Sequence, residues 1–169
     1  MPAPSALVVM GVSGSGKSTI AAALARRIGG AYIDADDLHS DEARVKMAAG
    51  TPLTDADRAP WLQKVAERID AASAEGRRVI VACSALRRAY RDALRQDAET
   101  PVFFVHLHGE PAVLAARLGV RTEHFMPATL LASQLATLEP LGDDERGMVV
   151  DIAGDPDAIV DTVATAIPA

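Results

Sequence analysis

The sequence contains no asparagine. That absence removes every N-glycosylation acceptor, and with it any Asn-Lys-x-Asp reader of guanine. Cysteine is nearly absent too. Cys83 stands alone in 169 residues, so no internal disulfide forms and a reducing compartment is expected. Apolar runs are short, and none approaches the ~20 residues that span a bilayer. The first residues, Met1-Pro2-Ala3-Pro4-Ser5, lack the basic region of a secretory signal. Positive charge is in deficit, with 17 Lys and Arg against 23 Asp and Glu and a net charge of −6. A general grip on nucleic-acid backbone is therefore disfavoured, while a few local arginines still suffice for a small anion. These absences lead us to expect a soluble cytoplasmic protein with neither nucleic acid nor membrane as partner.

Hydrophobic residues make up 49% and charged residues 24%, an ordinary globular mix. The length suits one domain with a sizeable core, residues 1–169. Its organising stretch is Gly11-Val12-Ser13-Gly14-Ser15-Gly16-Lys17-Ser18-Thr19. This meets the phosphate-binding pattern G-x-x-x-x-G-K-[ST] at every fixed position. An apolar run, Leu7 to Met10, precedes it, and Ile20, Leu24 and Ile28 follow at helical spacing. The order is thus strand, glycine loop, helix. The glycines allow backbone N–H groups to close on phosphate oxygens, and the helix start adds positive potential. In this pattern Lys17 reaches the β- and γ-phosphates and Ser18 places its hydroxyl on Mg²⁺.

Ala31 to Asp34 reads as a second strand after Gly29-Gly30. It runs into Asp34-Ala35-Asp36-Asp37-Leu38-His39, where acids at a strand's carboxyl end suit either ligand binding or helix capping. A short helix is expected over 41–49. Thr54 or Asp57 then caps a longer helix, with Pro60 in its first turn and Trp61, Leu62, Val65 and Ile69 toward the core. Arg58 lies off that stripe, as a surface ion pair or an anion clamp. Arg78 to Cys83 reads as a strand buried on both faces, with Cys83 a small core residue rather than a nucleophile. Ser84 opens the next helix, whose basic side of Arg87, Arg88, Arg91 and Arg95 is ordinarily solvated. Arg87, nearest the strand end, is placed to meet a substrate.

Val102 to Leu107 is the fourth strand, and its His106 and neighbouring His108 read as structural. Pro111 opens a helix, a polar stretch follows from Gly119 to Pro127, and Leu130, Leu131, Leu135 and Leu138 mark another helix. Arg117 and Arg121, four apart, suit a lid that closes over a nucleotide and excludes water. Residues 148–152 form the last strand and 156–167 the closing helix. Alternating strands and helices imply a parallel α/β sheet with right-handed crossovers. Two inserts are expected, about 36–74 over an acceptor and about 117–134 over the nucleotide. The central strand ends in Cys83-Ser84 rather than aspartate, so metal and acceptor chemistry fall to Asp36. This pattern favours a small-molecule kinase.

The chain resembles the gluconokinases of the phosphate-loop type, related in fold to shikimate kinase and the nucleoside monophosphate kinases. The resemblance rests on Gly11 to Thr19, Asp36 to His39, Lys46-Met47, Gly50 to Arg58, Pro60-Trp61-Leu62, Cys83 to Arg88, Tyr90 to Asp92, His124-Phe125, Ser133-Gln134 and Thr137 to Glu139. Three positions depart from that family: Ser40 stands where Pro is common, Ala43 where Asn is, and Glu123 where Gly is. The resemblance implies a three-layer, five-stranded parallel sheet of the P-loop kinase fold with a lid and a substrate-binding insert. It implies transfer of phosphoryl from ATP, with Mg²⁺, to D-gluconate, feeding the pentose phosphate pathway, and it hints at a homodimer. Under it Gly11, Val12, Ser13, Gly14, Ser15, Gly16, Lys17, Ser18 and Thr19 hold the nucleotide. Ser18 and Asp36 serve the metal, and Lys17, Asp36, Arg117 and Arg121 act in catalysis. Asp36, His39, Lys46, Arg58 and Arg87 meet the acceptor. The alternatives are a kinase for another acceptor, such as another sugar acid or shikimate, and a nucleotide-binding regulator without catalysis.

Overall fold

The computed structural model describes residues 4–120 and 128–167. Strand β1 (Ala6–Met10) is buried along its whole length. Helix α1 (Lys17–Ile28) follows it and stops where Gly29 turns left-handed at φ 69°. Then come β2 (Ala31–Asp34), a single 3₁₀ turn (Ala35–Leu38), α2 (Asp41–Ala48) and α3 (Asp55–Ala74). The second half holds β3 (Val79–Ala82), α4 (Arg88–Asp97), β4 (Val102–His108), α5 (Pro111–Val120), α6 (Ala128–Thr137), β5 (Gly147–Asp151) and α7 (Pro156–Ala166). The five strands pair in the order β2-β3-β1-β4-β5, all parallel.

Alternation along β1 divides the core into two. Leu7 and Val9 point to one face, where Ile20 and Leu24 of α1 and Ile159 and Val163 of α7 cover them. Ala6, Val8 and Met10 point to the other, under Trp61, Val65 and Ile69 of α3 and Leu94 of α4. The result is three layers around a sheet buried on both faces, as its apolar strands require.

Side chains cap the starts of α2 and α3. Ser40 Oγ accepts from the Ala43 N–H at 3.1 Å and begins α2. Thr54 and Asp57 satisfy each other's backbone N–H groups in a capping box at α3. Because that helix begins at Asp55, Pro60 lies in its second turn rather than its first. The helix after β3 begins at Arg88, four residues later than Ser84, since Ala85 holds φ at 45° and breaks the helical path. On α4, Arg91 is fully buried rather than solvated, because Glu145 meets its guanidinium at 2.8 Å. His106 is buried in the sheet, and burial first, then His108 and Arg91, push its imidazole down to about 4. Among the described residues no helix is long and apolar enough to cross a membrane.

Candidate active site

Parallel strands send all their carboxyl ends to one edge of the sheet, and the sequence-predicted residues gather there. After β1 the chain turns at Gly11. A Cβ on that residue would stand 2.7 Å from Ser15 Oγ and 2.9 Å from the Leu107 carbonyl oxygen, so only glycine fits. The Gly11 N–H donates to the Ser84 carbonyl at 3.3 Å, tying the loop to the segment after β3. Gly14 and Gly16 are left-handed at φ 84° and 87°. Gly16 sits at the start of α1 and no side chain caps that helix. Its first N–H groups are therefore presented to an anion. The Lys17 ammonium donates to the Val12 carbonyl at 3.2 Å, curling back over the loop. From α6, Gln134 Oε1 accepts from the Ser13 N–H at 2.7 Å.

The end of β2 supplies the acids. Asp34 caps the 3₁₀ turn through the Asp36 N–H at 3.0 Å. Its other carboxylate oxygen accepts from the Ser18 hydroxyl and the Tyr32 hydroxyl, each at 3.4 Å. Asp34 rather than Asp36 is thus the acid against Ser18. Asp36 projects from the turn with its side chain 86% exposed. The surrounding protein, then the charge of Asp34, raise its carboxyl above the usual range, against the pull of His39 and Lys17. The open side chain is the more telling fact for chemistry, since a substrate hydroxyl can approach it from solvent.

His39 is sheltered. Its side chain is 7% exposed, with Nε2 at 3.8 Å from Asp36 Oδ1. Its ring stacks on Trp61 at 4.3 Å and 14°. Burial foremost, and Arg44 and Arg58, lower its pKa against the opposing effect of Asp36, so the imidazole is neutral at pH 7. The turn carrying Asp36 is also held by Arg44 of α2, which donates to the Asp37 carbonyl at 3.0 Å and to the Asp36 and His39 carbonyls at 3.4 Å.

The expected acceptor residues divide into two groups. Arg58 lies 5.2 Å over the Tyr90 ring and donates to the Leu53 carbonyl. The Tyr90 hydroxyl in turn donates to Asp55 at 2.8 Å. Arg87 is exposed at the start of α4, and both Arg58 and Arg87 act electrostatically on the Tyr90 phenol, whose pKa burial chiefly raises. The two arginines therefore share one side of the site. Lys46 instead meets Asp57 at 3.0 and 3.1 Å, inside the insert. Arg117 donates to the Ile152 carbonyl just beyond β5. Arg121 lies outside the described residues, as do His124 and Phe125.

Cys83 is buried beneath the site, and burial pushes its thiol up to about 12. It is inert as a nucleophile.

Residues 7–141 match the model of a family described as an AAA domain. A gluconokinase of Gluconobacter oxydans is 48% identical over 160 residues, covering 94% of this chain and 88% of that protein. The chain belongs to the gluconokinase family. The crystal structure of a gluconokinase from Sinorhizobium meliloti is 47% identical with a TM-score of 0.83, covering 95% of this chain and 90% of the other. At 15% identity, a shikimate kinase from Bacteroides thetaiotaomicron still superposes with a TM-score of 0.66 over 95% of this chain and 97% of its own. That likeness shows the fold alone.

Four residues around this candidate site were given no role of their own from sequence, although Tyr90 and Gln134 lie in stretches that carry the family resemblance. Asp34 belonged to a recognised acidic run, and its two-residue spacing from Asp36 was the available signal. Tyr90 as a platform for Arg58, and Gln134 against Ser13, act across contacts distant in sequence, while Arg44 reaches carbonyls five to eight residues back, which carry no residue-type signal.

Proposed function

We propose that the chain transfers the γ-phosphoryl group of ATP to the 6-hydroxyl of D-gluconate, yielding 6-phospho-D-gluconate and ADP. The observation that carries this reading is the position of Asp36. Its turn is bonded on one side to Asp34, which faces Ser18 of the phosphate loop, and on the other to the helices of the acceptor insert, 36–74.

The loop N–H groups and Lys17 hold the phosphates, with Ser15, Gly16 and Thr19 in the same cradle. Ser18 and Asp34 offer two hard oxygen atoms 3.4 Å apart, a donor set that fits Mg²⁺, which keeps waters and substrate phosphates as its other ligands. When bound, Mg²⁺ neutralises charge on the β- and γ-phosphates. Asp36 orients the attacking hydroxyl and accepts its proton as the new P–O bond forms and the bond to the β-phosphate oxygen breaks. Positioning and charge neutralisation supply most of the catalysis in this chemistry. Arg58 and Arg87 grip the gluconate carboxylate, for which a guanidinium is matched by two parallel hydrogen bonds. Arg117 and Arg121 belong to the lid, 117–134, and neutralise the transferring group on closure, Arg117 exchanging the Ile152 carbonyl for phosphate. Lys46, held by Asp57, contributes its ammonium to the acceptor side of the insert.

The test is ADP release from Mg-ATP with D-gluconate beside shikimate, other sugar acids and nucleoside monophosphates. The expected result is turnover with gluconate alone and 6-phosphogluconate as product. Turnover of a different acceptor would move specificity within the 36–74 insert. ATP binding with no acceptor phosphorylated would replace the enzyme by a regulator.

A further inference from the structure

Trp61 is the only tryptophan in the chain, and it makes two contacts with the segment that carries Asp36. Its indole Nε1–H donates to the Ala35 carbonyl at 2.6 Å, across 26 residues of sequence and in a buried setting. Its ring face carries the His39 imidazole. His39 closes the far end of the same turn, its N–H reaching the Asp36 carbonyl at 3.4 Å, and its Nε2 faces the Asp36 carboxylate. Trp61 therefore touches both ends of a four-residue turn and leaves the carboxylate between them open. A core tryptophan needs none of this to be buried, since Leu62, Val65 and Ile69 already bury the apolar side of α3. Arg58 stands one helical turn before Trp61 on the same helix.

We propose that Trp61 is a positioning residue for the phosphoryl acceptor. It fixes the turn that holds Asp36, through the Ala35 carbonyl and the His39 ring, in register with the helix that holds the acceptor's carboxylate. This rests on the assignment of Asp36 to the attacking hydroxyl. The physical reason is the narrow tolerance of in-line transfer. A displacement of about 1 Å at a reacting group costs on the order of 100-fold in rate, and a 3₁₀ turn of four residues is too short to hold itself that closely.

The experiment compares Trp61→Phe, which keeps a ring beneath His39 but has no N–H, with Trp61→Leu, which loses both contacts, in the full chain. Trp61→Phe is expected to lower kcat with gluconate by roughly 10-fold, within the range set by small displacements, while the KM for ATP stays within about twofold of wild type. Trp61→Leu is expected to lower kcat further. In an Asp36→Asn background the Trp61→Phe change is expected to cost less than about twofold, because the two act as one unit. A Trp61→Phe enzyme with wild-type kcat overturns the proposal, even if its melting temperature falls. Equal losses from Trp61→Phe with and without Asp36 overturn it as well, since they mark a general structural defect. Full turnover by Asp36→Asn alone would instead remove the Asp36 assignment beneath it.

Discussion

Replacing Glu145 by Gln removes one charge from the most buried ionic group of the fold and changes almost nothing in shape. The Glu145 and Arg91 side chains are both fully shielded from solvent. Glu145 accepts from Arg91 at 2.8 and 3.0 Å, from Arg95 at 2.9 Å and from the Gly142 N–H at 2.7 Å. Burial alone would raise the carboxyl's pKa. The Arg91 contact, the Gly142 N–H and Arg95 outweigh it and hold the group down at about 2, against an ordinary 4.5. That difference corresponds to about 3 kcal/mol of native stability at neutral pH. It agrees with the roughly 3–5 kcal/mol lost when one partner of a buried ion pair is removed. For a chain of this length the melting temperature should fall by about 6–12 °C.

The pH dependence gives a sharper check. A depressed carboxyl contributes stability above its unfolded value and loses it as the pH falls through the folded one. The wild type should therefore exceed Glu145→Gln by about 3 kcal/mol at pH 7, and below pH 4.5 the gap should narrow by about 1.4 kcal/mol per pH unit. Urea unfolding followed by circular dichroism at pH 7, 5, 4 and 3 measures both quantities. A gap below 1 kcal/mol at pH 7, or one that stays constant down to pH 3, would refute the reasoning. Replacing the pair by apolar residues, Arg91→Met with Glu145→Leu, should recover only part of the loss: it removes the desolvation cost, but it strips the Ala85 and Pro140 carbonyls and the Gly142 N–H of their partners.

Three further outcomes bear on the site. Asp36→Asn should keep ATP binding, measured by titration calorimetry, and lose most turnover; near-normal kcat would take Asp36 out of the mechanism. Arg58→Ala should raise the gluconate KM by 10-fold or more, as expected when a charge-assisted contact worth about 1.5–3 kcal/mol is lost, with ATP KM unchanged; an unaltered gluconate KM would pass the carboxylate to Arg87. Gly11→Ala places a Cβ 2.9 Å from the Leu107 carbonyl, so strain of about 1–3 kcal/mol should weaken nucleotide binding, and a wild-type Kd for ATP would undo the cradle argument.

The parts of this protein that sequence reveals are those set by local chemistry. The phosphate loop announces itself because left-handed backbone at Gly14 and Gly16 and the crowding at Gly11 restrict the residue type at fixed spacing. The buried strands show as apolar runs because both faces of a parallel sheet are covered. Thr54 and Asp57 mark a helix start because capping spans three residues. In each case the sequence neighbours are also the physical partners.

The α4 arginines show where this logic stops. Arg88, Arg91 and Arg95 recur at helical spacing, and a basic helical face is ordinarily exposed. Arg88 and Arg95 share the local counter-charge of Asp92 on the same helix, but the partners that draw the face inward lie some 50 residues away, on a segment with no secondary structure to predict: Arg88 meets Asp144, and Arg91 and Arg95 meet Glu145. The tertiary path of that segment decides the matter. Between α6 and β5 the chain passes α4, where Glu139, Asp144 and Glu145 meet Arg88 and Arg91. There Arg91 also donates to the Ala85 and Pro140 carbonyls, while the Glu139 N–H reaches Leu86. The buried charge thus fastens the loop after β3, which leads to Arg87, to the chain leaving α6, whose Gln134 rests on the phosphate loop. A hydrophobic pair would bury as well, but it would leave the Ala85 and Pro140 carbonyls without this donor, and their unmade hydrogen bonds are what make arginine the fitting residue there.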